Sequence, residues 1–294
     1  MGKGLGFLAA VLLLTGCGSS GGSSGGDIKV VAGENFWGSI AAQLGGSKVK
    51  VQSIVADPNA DPHEYESSDA DARAFAEARL VIVNGAGYDQ WGQKLLDANR
   101  SSNRNVLNVA ELLHKKQGDN PHFWYDPGSV GTVADEITAE YKAIEVGSAA
   151  YFDQQRAVLA AAFKPYLDEI AAIKQQHANT PIGATESIFQ YMAVALGLNL
   201  TTPVEFMDAV AEGNDPPASA VAEFQNQISG SSIRALVYNV QTTTAVTTNI
   251  RSLAATHRIP TVGVSETLLP DNLSFQDWQL KQLKDLEAAL AQAS

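Results

Sequence analysis

Asn120–Pro127 reads NPHFWYDP and places a histidine, a run of aromatic residues and two prolines in one short stretch. Neither a strand nor a helix suits it, because Pro121 and Pro127 fix φ and lack a backbone donor. The pattern predicts a rigid loop that presents His122. The loop then runs into a helix, with Asp126 as its N-cap and Pro127 in the first turn.

A second loop of the same style lies upstream. Asp57–Glu66 reads DPNADPHEYE and presents His63 directly after Pro62. Two Pro-His pairs, each in an acidic or aromatic loop, predict a metal ion held between stiff supports.

The rest of the chain alternates short β-branched runs with helical segments, joined by short connections. This pattern predicts an α/β fold of mostly parallel sheets with helices on both faces. The predicted strands are Ile28–Ala32, Val49–Val55, Leu80–Val83, Val106–Val109, Pro181–Ala184, Ala235–Tyr238 and Thr261–Val264.

Ala149–Ala178 differs, because it is a run of strong helix formers without a glycine. A helix of this length would extend about 45 Å, more than one lobe needs. We interpret it as a spine that joins two lobes and expect a kink at Pro165. The predicted domains are an N-terminal lobe over 28–146, a linking helix over 147–179 and a C-terminal lobe over 180–294.

The N-terminus has the pattern of a secretory signal, with Lys3 before the apolar run Leu5–Leu14. The following tetrapeptide LTGC resembles the lipobox of bacterial lipoproteins, which implies a signal peptide over 1–17 and lipidation of Cys17. An ordinary signal peptide with a stray cysteine is the alternative. Residues 18–27 are rich in glycine and serine and predict a flexible tether.

Composition limits the possible ligands and partners. The chain has 294 residues and a net charge of −12, so nucleic acid is not expected as a partner. Cys17 is the one cysteine, which excludes a disulfide framework and a thiolate metal site.

Polar residues that closely follow predicted strands are the best candidates for ligands, because open parallel sheets bind at the carboxyl ends of their strands. His63 follows the second strand. Glu186 and Glu266 each lie two residues after a strand of the C-terminal half. With His122, they would meet across a cleft between the lobes. Asn239 also ends a strand, where a supporting role near the ligands and a turn role are both open.

Three segments of the chain resemble the metal-binding proteins of bacterial manganese and zinc ABC importers. They are DPHEYESSDAD, VNGAGYDQW and NPHFWYDP. The resemblance implies that His63 and His122 are metal ligands, and that Glu186 is the third, in a T-x-x-x-F-x-Y segment. The fourth ligand of the family is usually a late aspartate. Here Glu266 takes that place, with Asp271 as the fallback. From their positions alone, Asp126, first a helix cap, and Asn239 are candidates to support the ligands.

Two neutral imidazoles and two carboxylates would leave a divalent cation formally neutral, which lessens the cost of burying it. Such a ligand set suits Mn²⁺, Zn²⁺ or Fe²⁺, and binding strength alone favours Zn²⁺ over Mn²⁺. The absence of a His-rich loop between the two histidines leans towards manganese by the resemblance.

The predicted function is that of an extracytoplasmic substrate-binding protein, not an enzyme. It would be a monomer, lipid-anchored to the outer face of the cytoplasmic membrane, and would deliver one Mn²⁺ or Zn²⁺ ion to an ABC permease. The alternatives are a metal-dependent surface hydrolase and an adhesin with a structural metal. No catalytic motif such as H-E-x-x-H or G-x-S-x-G supports the hydrolase.

Overall fold

The computed structural model describes residues 1–2, 27–57 and 65–292. Cys17, the glycine-serine run after it and His63 therefore lie outside the described residues. No helix within these ranges has both the length and the apolar composition to cross a membrane.

Two four-stranded parallel sheets form the framework, and they share one strand order. The N-terminal sheet runs β2-β1-β3-β4 and the C-terminal sheet β6-β5-β7-β8. The strands are β1 Ile28–Glu34, β2 Val49–Val55, β3 Leu80–Val83, β4 Asn105–Asn108, β5 Pro181–Ala184, β6 Asn199–Leu200, β7 Leu236–Asn239 and β8 Thr261–Val264. The predicted α/β architecture is confirmed.

Helices connect the strands and cover the faces of both sheets. They are α1 Asn35–Gly45, α2 Asp69–Glu77, α3 Gln90–Ala98, α4 Val109–Leu112, α5 Pro127–Ile144, α6 Ala149–Ala162, α7 Lys164–His177, α8 Gln190–Ala195, α9 Val204–Ala211, α10 Ala218–Ser229, α11 Ala245–Thr256 and α12 Phe275–Gln292. The sequence analysis did not predict the short elements α4, β6 and α9.

Alternate side chains of the buried strands enter different parts of the core, as the two-residue period of a strand requires. Val30 and Ala32 of β1 belong to a central cluster, whereas Val31 packs with an outer cluster that includes Phe75. The C-terminal sheet is arranged likewise, since Leu236 of β7 faces its own outer cluster. The central cluster includes residues of both sheets, so the two lobes share one continuous core.

The spine crosses between the lobes as two helices, α6 and α7. They are separated at Phe163, and Pro165 lies in the first turn of α7, where the kink was predicted. The spine helix α7 packs against α12, and Phe163 stacks on Phe275 with a centroid distance of 5.8 Å. These contacts attach the spine to the C-terminal lobe along its second half.

The aromatic residues after His122 anchor the loop in the central core. Phe123, Trp124 and Tyr125 form one 3-10 turn and are buried. Trp124 stacks on Phe36 with a centroid distance of 3.9 Å. The loop then enters α5, where the Asp126 side chain accepts hydrogen bonds from the backbone N–H groups of Gly128 and Ser129.

Replacement of Asp126 by alanine should lower the free energy of unfolding by about 1 kcal/mol, because two N–H groups at the start of α5 lose their acceptor. Asp126→Asn is the matched control, since asparagine caps equally well, and it should retain most of the stability. Denaturant unfolding monitored by circular dichroism measures both. Equal losses in the two variants would show that the capping oxygen is not what stabilises this helix start.

Candidate metal site

Three of the four predicted ligands meet at one point between the lobes. One ligand atom each from His122, Glu186 and Glu266 lies within 4.8 Å of the other two. All three side chains are at most 1% exposed. His63 lies outside the described residues, and Asp271 is exposed, so among the described acidic candidates it is Glu266 that adjoins the others.

The two glutamates reach this point because parallel strands end at the same edge of a sheet. Glu186 follows β5 and Glu266 follows β8. The strand β7 lies between β5 and β8 and pairs with both. His122 comes from the other lobe, in the loop before α5. Asn84, after β3, donates from its side-chain amide to the carbonyl of Pro121 at 2.9 Å and so holds this loop.

Asn120 fixes the orientation of the imidazole. Its Oδ1 lies 2.6 Å from His122 Nδ1, and its Nδ2 donates to the carbonyl of Ser187 and to Gln190 Oε1. Because the amide nitrogen is used by these two acceptors, Oδ1 must accept the Nδ1 proton. The lone pair is then on Nε2, which lies 3.4 Å from Glu266 Oε1. This tautomer is the one that binds metal through Nε2.

Burial also keeps the imidazole neutral. It lowers the pKa of His122 to about 4, and the charge of Glu186 opposes this shift only in part. A histidine with so low a pKa carries no proton on Nε2 at neutral pH and needs none removed before it binds a cation.

Asn239 links the two carboxylates. Its Nδ2 donates to Glu186 Oε1 and to Glu266 Oε1, each at 2.7 Å. Its Oδ1 accepts the backbone N–H of Gln241, so the residue also closes the turn after β7. Asn239 therefore bridges the two carboxylates and closes the turn after β7.

Two neighbours of the site were missed by the sequence analysis. Tyr88 donates its hydroxyl to Glu266 Oε2 at 3.0 Å. Glu34, the last residue of β1, is fully buried beside Asp89. The rule that polar residues at strand ends line the site would have found Glu34, whereas Tyr88 lies in a turn and could not be placed that way.

The Glu34 carboxyl is held in its neutral form. Burial, the neighbouring Asp89 and then the more distant Glu266 raise the pKa of Glu34 well above its usual range. Burial also raises the pKa of Asp89 to about 6, although the backbone N–H groups of Gly85 and Asn84 oppose this. The raised pKa of Glu34 favours its protonated form, which limits the negative charge near Glu266.

The spacing of the ligand atoms suits one small cation. Two atoms 3.4 Å apart, as His122 Nε2 and Glu266 Oε1 are, subtend about 110° at an ion that lies about 2.05 Å from each. This is close to the tetrahedral angle. A cleft of about 820 Å³, lined by residues of both lobes including His122 and Tyr191, lies beside the site.

Asp126 is not positioned as the sequence analysis expected. Its described side-chain contacts are to the start of α5, namely Gly128 and Ser129, and not to a candidate ligand. It supports His122 only through the helix that follows the loop.

The fold is that of known metal-binding solute receptors. The Mn²⁺ complex of the solute-binding protein FpvC from Pseudomonas aeruginosa superposes with a TM-score of 0.74, at 14% identity, over 92% of this chain and 100% of that one.

Residues 30–289 match the model of the family described as "ZnuA: Zinc-uptake complex component A periplasmic", and the chain belongs to this family. The family description names a component of a zinc-uptake complex.

Two curated relatives are similar over part of the chain. The manganese ABC transporter substrate-binding lipoprotein PsaA of Streptococcus mitis is 26% identical over 64% of this chain and 66% of its own length. The manganese-binding lipoprotein MntA of Halalkalibacterium halodurans is 30% identical over 42% of this chain and 43% of its own. The chain thus spans less than two thirds of the length of each.

Replacement of Glu34 by glutamine should stabilise the protein at high pH and not at low pH. The unfolded state releases this proton above about pH 4.3, whereas the folded state keeps it, so the wild type loses stability as pH rises towards the folded pKa. Glutamine mimics the protonated acid and removes this loss.

The measurement is the melting temperature of both proteins, without metal, from pH 4.5 to pH 8. The advantage of Glu34→Gln over the wild type should grow steadily across this range. A constant difference at every pH would contradict a buried, protonated Glu34.

Proposed function

We propose that this protein binds one divalent transition-metal ion through His63, His122, Glu186 and Glu266 and delivers it to an ABC permease. The ion is its cargo and not a resident cofactor. The proposed location is the outer face of the cytoplasmic membrane, where a lipidated Cys17 would hold a monomeric body on a glycine-serine tether.

The convergence of His122, Glu186 and Glu266 is the observation that carries this proposal. Two buried carboxylates and a neutral imidazole at this spacing form a site of charge −2 that a divalent cation neutralises. The candidate ligands come from both lobes, and His122 lines the cleft between them.

The family and the named relatives both support a transition-metal cargo, although they name different metals. The family description refers to zinc, and the two relatives are named for manganese.

The permease, the anchor and the domain boundaries rest on sequence and relatedness. The relatives PsaA and MntA are both named as lipoproteins, and PsaA as part of an ABC transporter. We extend these roles to this chain, with a signal peptide over 1–17, lobes over 28–146 and 180–294, and the linking segment 147–179 between them.

Replacement of His122 by alanine should weaken Zn²⁺ and Mn²⁺ binding by more than roughly 100-fold, since even residues that only support a ligand are often worth 10–100-fold. His63→Ala should have a similar effect. Isothermal titration calorimetry with competing chelator measures the affinity, and circular dichroism confirms that the metal-free variants are folded.

The matched control is His257→Ala, which removes a partly exposed histidine at the end of α11. Its affinity should equal that of the wild type. Unchanged metal affinity in His122→Ala and His63→Ala would refute the proposed site.

A further inference from the structure

Tyr88 makes a contact that bears on how a bound ion would be coordinated. Its hydroxyl donates to Glu266 Oε2 at 3.0 Å, and the side chain is only 4% exposed. The other oxygen of the same carboxylate, Oε1, accepts from Asn239 and is the one that lies 3.4 Å from His122 Nε2. The two oxygens of Glu266 therefore have different surroundings.

The turn that carries Tyr88 is firmly held. Both carboxylate oxygens of Asp89 accept backbone N–H groups, one from Asn84 at 2.6 Å and one from Gly85 at 2.8 Å. Gly85 has φ +78°, and a Cβ there would lie 2.2 Å from Asn108 Oδ1, so only glycine fits. The hydroxyl of Tyr88 is thus delivered to Glu266 from a fixed support.

The ring of Tyr88 is fixed as well. It packs edge-on against Trp124, with a centroid distance of 5.1 Å, and against His122 at 6.2 Å. These neighbours belong to the rigid loop of the first lobe, whereas Glu266 belongs to the second. The hydrogen bond therefore crosses between the lobes and sets the rotation of the Glu266 carboxylate relative to His122.

We infer that Tyr88 is a specificity-determining residue that holds Glu266 as a monodentate ligand and so favours Zn²⁺ over Mn²⁺. This inference rests on the proposed function. Tyr88 orients the carboxylate so that Oε1, the oxygen 3.4 Å from His122 Nε2, is presented to the ion, while Oε2 is held by the tyrosine. Zn²⁺ accepts four ligands, whereas Mn²⁺ is better suited by an octahedral, oxygen-rich shell.

Tyr88→Phe removes only the hydroxyl and tests the inference. Freed from its donor, Glu266 can bind through both oxygens and raise the coordination number. The ratio of Mn²⁺ to Zn²⁺ dissociation constants should fall by roughly tenfold, the size typical of a residue that orients a ligand. The visible absorption of the Co²⁺ complex should weaken, because four-coordinate Co²⁺ absorbs far more strongly than Co²⁺ with five or six ligands.

Tyr141→Phe is the matched control. The Tyr141 hydroxyl is also buried and donates a hydrogen bond to the carbonyl of Ala41 at 3.0 Å. It should leave both the affinity ratio and the Co²⁺ spectrum unchanged. An unchanged ratio and spectrum in Tyr88→Phe, or the same change in both variants, would overturn the inference while leaving the metal site intact.

The wild-type protein provides a test that does not depend on a variant folding. X-ray absorption of its Zn²⁺ complex should show a four-coordinate ion, and a five- or six-coordinate ion would overturn the monodentate assignment. A wild type that binds none of Zn²⁺, Mn²⁺ and Co²⁺ would overturn the proposed function as well, so the two failures are distinguishable.

Discussion

Two carboxylates that face each other inside a protein repel, and the arrangement around Glu186 and Glu266 depends on how that repulsion is offset. Both side chains are almost completely buried, so water cannot screen them. Asn239 donates one hydrogen bond to each, and Tyr88 donates another to Glu266. Nearby, Glu34 keeps its proton and adds no charge. These contacts lower the energetic cost of the two buried carboxylates in the metal-free site, and a divalent cation would offset the remaining repulsion between them.

The lobes support this site because they are not independent bodies. One apolar cluster runs through both sheets, and the Asn120 side chain from the first lobe bonds to Ser187 and Gln190 of the second. Tyr191 returns a hydrogen bond to the carbonyl of Asn120 at 2.9 Å. Separation of the lobes would have to expose the apolar cluster and break these bonds. Packing therefore restrains the spacing of the three candidate ligands His122, Glu186 and Glu266, which favours a preorganised site.

Much of the fold could be predicted from sequence because its strands are short, β-branched and buried. The bounds of β2, β3, β5 and β8 agree with the predicted ones, and the N-cap of α5 was correctly predicted at Asp126. Two of the three elements that were missed are very short: β6 has two residues, and α4 has four.

Site residues that directly follow a strand could be predicted from the sequence. A residue whose role depends on a contact with the other lobe could not. Glu186 and Glu266 satisfy the strand-end rule. Tyr88 contacts Glu266 across 178 positions of sequence, and nothing local to the turn indicates that partner. Asp126 shows the opposite case, because its capping role could be predicted from the local sequence and its described side-chain hydrogen bonds are those of the cap.

Under the proposed function, the shared core has a consequence for a membrane protein that receives the ion. One continuous core resists separation of the lobes, so metal binding would change the outline of the protein little. Discrimination between the empty and filled forms would then rest on charge, because a dication neutralises the buried pair Glu186 and Glu266. Recognition of the filled receptor would thus depend on short-range electrostatic interactions, and high ionic strength should weaken it.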